Sequence, residues 1–301
     1  MNVVVTGATS FLGRAMTDRL LKDGHKVYAV IRPASPNMGR LDKSRRGLTL
    51  IERQLEELDT LDTVIEEPCQ AFYHFGWDGS GSENRKNRAV QQKNVKDSLN
   101  ALEGARRLGC SRFLFSGSQA EYGIHQEAMT EETECRPISE YGKAKLEFLE
   151  HAMKQTEMEY IHSRIFSVYG PGDHPWSLVE SCLKAFGNGE YISLGECTQM
   201  WNFLYVDDCI GALAALMSSE KPVSGVYNIG DGVSRPLRQY IRMMYETLGS
   251  HGSYSFGLRK PNAEGPANLI PDVRKLTEKT GWKPSVAFAD GILRMYQEVK
   301  L

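Results

Sequence analysis

The chain opens Met1-Asn2-Val3-Val4-Val5-Thr6-Gly7-Ala8-Thr9-Ser10-Phe11-Leu12-Gly13, and the reading of this stretch decides the fold. Three β-branched residues in a row, Val3 to Val5, stiffen the backbone and suit a parallel strand covered on both faces. From Arg14 to Lys22 the apolar residues Ala15, Met16, Leu20 and Leu21 fall on one helical face, and Gly24 supplies a stop just beyond. A strand, a glycine turn and a helix start in immediate succession make an anion site. The unpaired N–H groups and the positive end of the helix dipole both point at the turn. The spacing Gly7-x-x-Ser10-x-x-Gly13 carries serine where the tighter dinucleotide fingerprint has its middle glycine. It predicts a pyrophosphate loop built by Gly7, Ser10, Phe11, Leu12 and Gly13, the alternative being a purely structural turn.

Composition agrees with a globular protein of one or two lobes: 301 residues, ordinary apolar and charged content, and a formal charge of −2. That charge gives no electrostatic reason for nucleic acid or an anionic membrane as partner. No apolar run approaches a membrane-spanning length, and the N-terminus enters a strand directly, which makes a soluble cytoplasmic protein the expectation. The six cysteines are scattered and form no C-x-x-C pair, so neither a metal site nor a disulfide framework is implied.

Strands and helices alternate through the first half. Further strands are predicted over Lys26 to Ile31, Leu48 to Ile51, Ala71 to Phe75, Arg112 to Phe115 and Tyr160 to Phe166, with helices over Asn94 to Leu108 and Tyr141 to Met153. Parallel strands joined by crossover helices give an α/β, Rossmann-type doubly wound sheet of about seven strands. After Gly170 the texture changes to Pro171-Gly172-Asp173-His174-Pro175-Trp176, and shorter elements rich in glycine and proline follow. One return to the sheet is expected at Phe203 to Met217. The division reads as a dinucleotide-binding lobe, 1–167 plus about 203–229, and a smaller substrate lobe, 168–202 plus about 230–301.

The second strand ends Val30-Ile31-Arg32, without the carboxylate that accepts hydrogen bonds from the adenosine ribose in NAD-type folds. Arg32 offers a planar fork suited to a 2′-phosphate, and Arg14 is a second candidate for the same group. NADP(H) is therefore favoured over NAD(H). The chemistry falls on Ser116-Gly117-Ser118 and on Tyr141-Gly142-Lys143-Ala144-Lys145. Tyr141 and Lys145, at i and i+4, share a helix face, and a serine at the carboxyl end of a neighbouring strand opens into the same crevice. A free phenol, with a pKa near 10, is a poor acid–base group at neutral pH; an adjacent ammonium lowers it. Tyr141 would then exchange a proton with a substrate oxygen that Ser118 also holds.

With these residues in view, the chain resembles an extended short-chain dehydrogenase/reductase of the NAD-dependent epimerase/dehydratase family, close to nucleotide-sugar epimerases and 4-ketoreductases. The likeness runs through Tyr73-His74-Phe75, Asn94-Val95 opening a helix, Phe115 to Gly123, Arg164 to Gly172, Tyr205-Val206-Asp207-Asp208 and Gly281-Trp282-Lys283-Pro284. It implies Ser118, Tyr141 and Lys145 as catalytic residues and Asn94 as a supporting polar group. It also implies that Phe75, Gly76, Ser116 and Phe166 line the nicotinamide half of the cofactor, with Leu55 and Trp77 completing the cofactor set. A homodimer built from the two long helices, Asn94 to Leu108 and Tyr141 to Met153, is implied as well.

The departures narrow the reaction. Relatives that eliminate water carry Asp then Glu after the strand-end serine or threonine, where this chain has Gln119 and Ala120. Glu121 is displaced by one residue and, on an extended chain, faces the wrong way. Ser167 stands where many relatives have Asn, and Trp201 replaces a phosphate-binding arginine. Arg259 is the candidate replacement, and Trp176 or Trp201 either stacks on a base or belongs to the core. Substrate contacts are accordingly assigned to Ser118, Gln119, Tyr141, Ser167, Trp176, Trp201 and Arg259. The expectation is an NADPH-dependent reductase of a nucleotide-linked 4-keto-6-deoxyhexose. A sugar 4-epimerase that retains NAD is the second reading, and a non-catalytic NADP sensor is a third.

Overall fold

The computed structural model describes residues 1–81, 83–155, 157–259 and 267–299. In chain order the first half comprises β1 (Asn2–Thr6), α1 (Phe11–Lys22), β2 (Lys26–Ile31), β3 (Leu48–Glu52), β4 (Ala71–His74), α2 (Arg88–Arg107), β5 (Arg112–Ser118), α3 (Glu140–Ala152) and β6 (Glu159–Ile165). The second half adds β7 (Ser167–Tyr169), α4 (Leu178–Gly187), β8 (Tyr191–Ser193), β9 (Met200–Trp201), β10 (Phe203–Tyr205), α5 (Val206–Met217) and β11 (Gly225–Ile229). It ends with β12 (Arg235–Pro236), α6 (Leu237–Thr247), β13 (Ser253–Ser255), α7 (Arg274–Thr280) and α8 (Phe288–Val299).

Seven strands form one parallel sheet in the order β11-β6-β5-β4-β1-β2-β3. The opening valines explain why β1 sits inside it. Val3 and Val5 belong to one apolar core, which continues through Met16, Leu213 and Leu216 to Ile292 and Met295. Val4 belongs to a second core on the other face, with Phe72, Phe113, Phe115 and Phe148. Alternate side chains of a strand face opposite ways, so one β-branched run serves both layers, about 1.5–3 kcal/mol for each valine fully removed from water. The order in which strands are added reverses between β1 and β4, and a crevice opens there at the carboxyl ends of the strands.

Two expectations need correction. The helix predicted from Asn94 begins at Arg88, capped by Asn87, whose side chain accepts from the N–H groups of Ala89 at 3.1 Å and Val90 at 3.3 Å. Its first turns carry Arg88, Gln91 and Gln92 and so show no apolar stripe; Asn94 lies inside the helix instead of opening it. The return to the sheet is not at Phe203: β10 pairs with β7 in a separate two-stranded ladder, and β11 supplies the seventh strand of the main sheet. The helix α5 does follow β10 directly.

Candidate active site

The loop after β1 is shaped by glycines. Gly7 has φ of +62°, and a Cβ there would lie 2.8 Å from the Phe75 carbonyl and the Gly76 nitrogen. A Cβ at Gly13 would lie 2.1 Å from the Gly7 oxygen. Ser10 caps α1, its Oγ accepting from the Gly13 N–H at 3.1 Å. This cradle fits a pyrophosphate, whose oxygens need bare backbone and helix N–H groups. Gly7, Ser10, Arg32, Leu55, Phe75, Gly76 and Trp77 line one cleft over β1, β2 and β4, together with Arg53 and Asp78. Phe11 and Leu12 turn their side chains against the apolar core.

The two arginines part company. Arg32 lines the cleft but is paired with Asp78 at 2.7 Å, both side chains about half exposed. Arg14 instead donates to the Pro171 carbonyl at 3.1 Å, tying α1 to the loop after β7. Its guanidinium is thus held by the loop after β7.

Segment 75–79 is pinned onto α2. Asn94 accepts from the Asp78 N–H at 2.9 Å and donates to the Asp78 carbonyl at 2.8 Å. Gln91 accepts from the Trp77 indole at 2.9 Å and donates to the carbonyls of Gly79 and Asn84. Beneath the segment, Thr6 Oγ1 meets His74 Nδ1 at 2.6 Å and accepts from the Gly76 N–H at 3.2 Å, while His74 Nε2 meets Ser98 at 3.1 Å. Burial, and secondly the Lys145 charge, push His74 down to about 3, so its ring is neutral. Gln91 escaped sequence reasoning; a signal was present in the Gln91-x-x-Asn94 spacing, which places both amides on one face of α2.

Ser118 closes β5 and opens a single 3₁₀ turn, Gln119–Glu121, its Oγ accepting from the Ala120 N–H at 3.2 Å. Helix α3, capped by Ser139, presses onto this turn, for a Cβ at Gly142 would lie 2.4 Å from the Ala120 oxygen. Lys145 is thereby carried under the crevice. Its ammonium donates to the Ser116 carbonyl at 2.7 Å. It lies 3.6 Å from the Trp77 ring centre, 4.4 Å from Phe115 and 5.5 Å from Tyr141. Trp77 and Tyr141 meet edge to face at 5.9 Å, and the Arg85 guanidinium lies 4.3 Å over the Tyr141 ring. Burial holds Lys145 well below the usual lysine range; Glu121 opposes that effect and Arg85 adds to it.

The substrate candidates divide. Phe166 is buried with Tyr122, Met129 and Leu269, and Trp201 packs against the same cluster. Ser167, next along β7, pairs with Phe203. Gln119 lies in the turn beside Ser118. Trp176 is 70% exposed and stacks on His174 at 4.6 Å, while Arg259 donates to Ser193 Oγ at 3.4 Å on an exposed surface. Arg235, which sequence reasoning passed over, is the antiparallel register partner of Trp201.

The family model for the NAD dependent epimerase/dehydratase family matches residues 3–230, and the chain belongs to that family. It is 28% identical over 303 residues to UDP-glucuronic acid decarboxylase 1 of Xenopus tropicalis, spanning 96% of this chain and 70% of that protein. It is 25% identical over 306 residues to an uncharacterized UDP-glucose epimerase of Bacillus subtilis (strain 168), 97% of this chain and 96% of the other. The crystal structure of UDP-glucose 4-epimerase with UDP-glucose from Thermotoga maritima superposes with a TM-score of 0.88 at 26% identity, covering 100% of this chain and 99% of that one. UDP-glucuronic acid 4-epimerase from Bacillus cereus, solved with UDP-glucuronic acid and NAD, shares the fold at a TM-score of 0.86, 23% identity and coverage of 100% and 99%. This chain is thus an enzyme of the NAD-dependent epimerase/dehydratase family with a Rossmann-type seven-stranded parallel sheet. Among the described residues no helix is long and apolar enough to cross a membrane.

Proposed function

We propose that this enzyme is a nucleotide-sugar oxidoreductase that reduces the 4-keto group of a nucleotide-linked 4-keto-6-deoxyhexose, with NADP(H) preferred. The observation that carries the reading is the grouping of Ser118, Tyr141 and Lys145 around the carboxyl end of β5, beside a turn whose acid–base positions are Gln119 and Ala120. Tyr141 gives its phenolic proton to the sugar oxygen. Ser118 orients that oxygen. Lys145 holds positive charge beside the phenol and would bind the ribose of the nicotinamide. Bound nicotinamide supplies the hydride. Arg32 and Arg53 against the single carboxylate of Asp78 leave the adenosine end of the cleft net positive, which supports the 2′-phosphate.

In this reading 1–167 with about 203–229 bind the cofactor, and 168–202 with about 230–301 bind the nucleotide sugar through Trp176, Trp201 and Arg259, while Ser118, Gln119, Tyr141 and Ser167 reach the sugar from the first segment. A homodimer through α2 and α3 belongs to the same proposal; Leu99 and Leu146 are only partly buried there and Met153 is 49% exposed. Light scattering at micromolar concentration tests it, a monomer mass counting against it.

The second reading, a 4-epimerase with retained NAD, is favoured by the likeness to the uncharacterized UDP-glucose epimerase of Bacillus subtilis and to the UDP-glucose 4-epimerase of Thermotoga maritima, and by the Asp78 carboxylate beside Arg32. One assay separates the two. The protein is mixed with NADPH and a set of nucleotide-linked 4-keto-6-deoxyhexoses, and separately with UDP-glucose and UDP-glucuronic acid. Stoichiometric loss of reduced nicotinamide identifies the reductase. Interconversion of C4 epimers without added cofactor identifies the epimerase, and turnover of neither sinks both.

A further inference from the structure

The buried ionisable groups that the proposed reaction does not use are concentrated under the end of β5. Glu121 and His162 have no exposed surface, and Arg164 is 3% exposed. The Glu121 carboxylate accepts from the Ser118 N–H at 2.7 Å, from His162 Nε2 at 2.9 Å and from Arg164 Nε at 2.9 Å. A carboxylate only accepts, so His162 carries its proton on Nε2, and its Nδ1 accepts from the Tyr160 hydroxyl at 2.7 Å. An extended chain would have pointed Glu121 away; the 3₁₀ turn folds it back under the strand. So enclosed, Glu121 is also unsuited to donate a proton to substrate.

Lys145 grips the same strand end one peptide earlier. Its partner, the Ser116 carbonyl, and the Glu121 partner, the Ser118 N–H, belong to the two peptide groups that flank Gly117. Gly117 is what allows this. A Cβ there would lie 2.4 Å from His162 Nε2 and 2.9 Å from Glu121 Oε1. One residue of backbone thus separates a buried ammonium from a buried carboxylate.

We propose that Glu121 is a positioning residue for this active site: it clamps the Ser118 amide and is the buried counter-charge of Lys145. The clamp and the counter-charge rest on the reading of Ser118, Tyr141 and Lys145 given above, and go beyond it. Lys145 is enclosed by three aromatic rings and one carbonyl, which compensate an ammonium only in part. Of the other ionisable groups that act on it or lie beside it, Arg85 repels it and His74 is neutral. Among the described residues Glu121 alone supplies negative charge. That charge is secure: burial would raise the Glu121 carboxyl, but His162, Arg164 and the Ser118 N–H together bring it down to about 2. A mere tie between the turn and β6 would make no demand on Lys145.

The test is the titration of Lys145 by carbon NMR in protein labelled with [ε-¹³C]lysine, the resonance being assigned by its loss in Lys145→Arg. Glu121→Gln keeps the shape and an oxygen for the Ser118 N–H but removes the charge. The Lys145 midpoint is expected to fall by about one pH unit or more, since loss of an opposite charge that acts on a buried ammonium has that effect. His162→Gln, which keeps the carboxylate, should leave the midpoint in place. If Glu121→Gln does not fold, Glu121→Gln/Arg164→Gln, with no net change in buried charge, is expected to show the same fall. An unchanged midpoint in either folded variant overturns the proposal. The titration needs no substrate, so a failure to turn over any sugar nucleotide would count against the proposed function and leave this result standing.

Discussion

Arg32 and Asp78 face each other at 2.7 Å in the cleft over β1, β2 and β4, joining the end of β2 to the segment after β4. Both side chains are about half exposed, and such pairs contribute about 0–1 kcal/mol. A phosphate–guanidinium contact contributes about 1.5–3 kcal/mol, so under the proposed NADP(H) preference a 2′-phosphate would outcompete Asp78 for Arg32. Arg32→Ala should therefore weaken NADPH by about tenfold or more and leave NADH nearly untouched. Asp78→Asn should widen the preference for NADPH. Titration of both cofactors by quenching of tryptophan fluorescence checks this; equal dissociation constants in the native protein would refute it.

Tyr141→Phe retains the edge-to-face contact with Trp77 but loses the proposed proton donor. Turnover should fall by about 10²–10⁴ with cofactor affinity almost unchanged. Lys145→Met should damage both quantities, because in the proposed mechanism the ammonium serves the phenol and the ribose together. Near-normal turnover in Tyr141→Phe would remove the tyrosine from the mechanism.

Gly117→Ala puts a methyl 2.4 Å from His162 Nε2, inside a pair that has no exposed surface and no room to yield. Overpacking of this kind costs about 1–3 kcal/mol, and loss of a buried charge contact adds to it. We expect a lowered urea midpoint with an unchanged slope and, since Ser118 is the next residue, a loss of turnover. A wild-type midpoint would mean that β5 is free to move away from β6.

Acid should unfold this protein early. His74 is held down to about 3 by burial and secondly by Lys145, and His162 is lowered by burial against the pull of Glu121. His74 is therefore neutral in the native state and His162 holds a proton less readily than in the unfolded chain, where both take up protons below about pH 6.5. The unfolded state binds more protons, so stability falls with falling pH, about 1.4 kcal/mol per unit for each histidine while it stays neutral. Glu121, lowered to about 2, adds the same sign between about pH 4.5 and 2. Chemical denaturation between neutral pH and about pH 5 should show this slope, and His74→Gln should flatten it by about one proton.

What was legible in the sequence was local. The valine run, the glycine loop and the Tyr141–Lys145 spacing each declare themselves within a turn or a strand, and the seven-stranded parallel sheet follows from their alternation. What was hidden depends on tertiary placement. Asp78 lies 46 residues from Arg32 and reaches it only because Asn94 and Gln91 dock its loop on α2. The fate of Glu121 turned on three residues of 3₁₀ helix, which reverse the side-chain alternation assumed for an extended chain. Arg14 was drawn to a carbonyl 157 residues away. The return strand was misplaced because Phe203-Leu204-Tyr205 has the same β-forming character as Gly225–Ile229, and only pairing partners tell them apart.

Asn228, on the last strand to join the sheet, receives the Tyr122 hydroxyl at 2.6 Å, donates to the carbonyls of Met129 and Asp272, and offers its own N–H to Glu131. Its neighbour Ile229 accepts from the Phe166 N–H at 3.0 Å. The chain between β5 and α3 is thus locked by a residue about a hundred positions downstream. During synthesis the glycine loop and its strands have local partners early, but the segment after Ser118 must wait until β11 leaves the ribosome. Ordering of this segment is therefore a late event in folding, of the kind that high contact order makes slow.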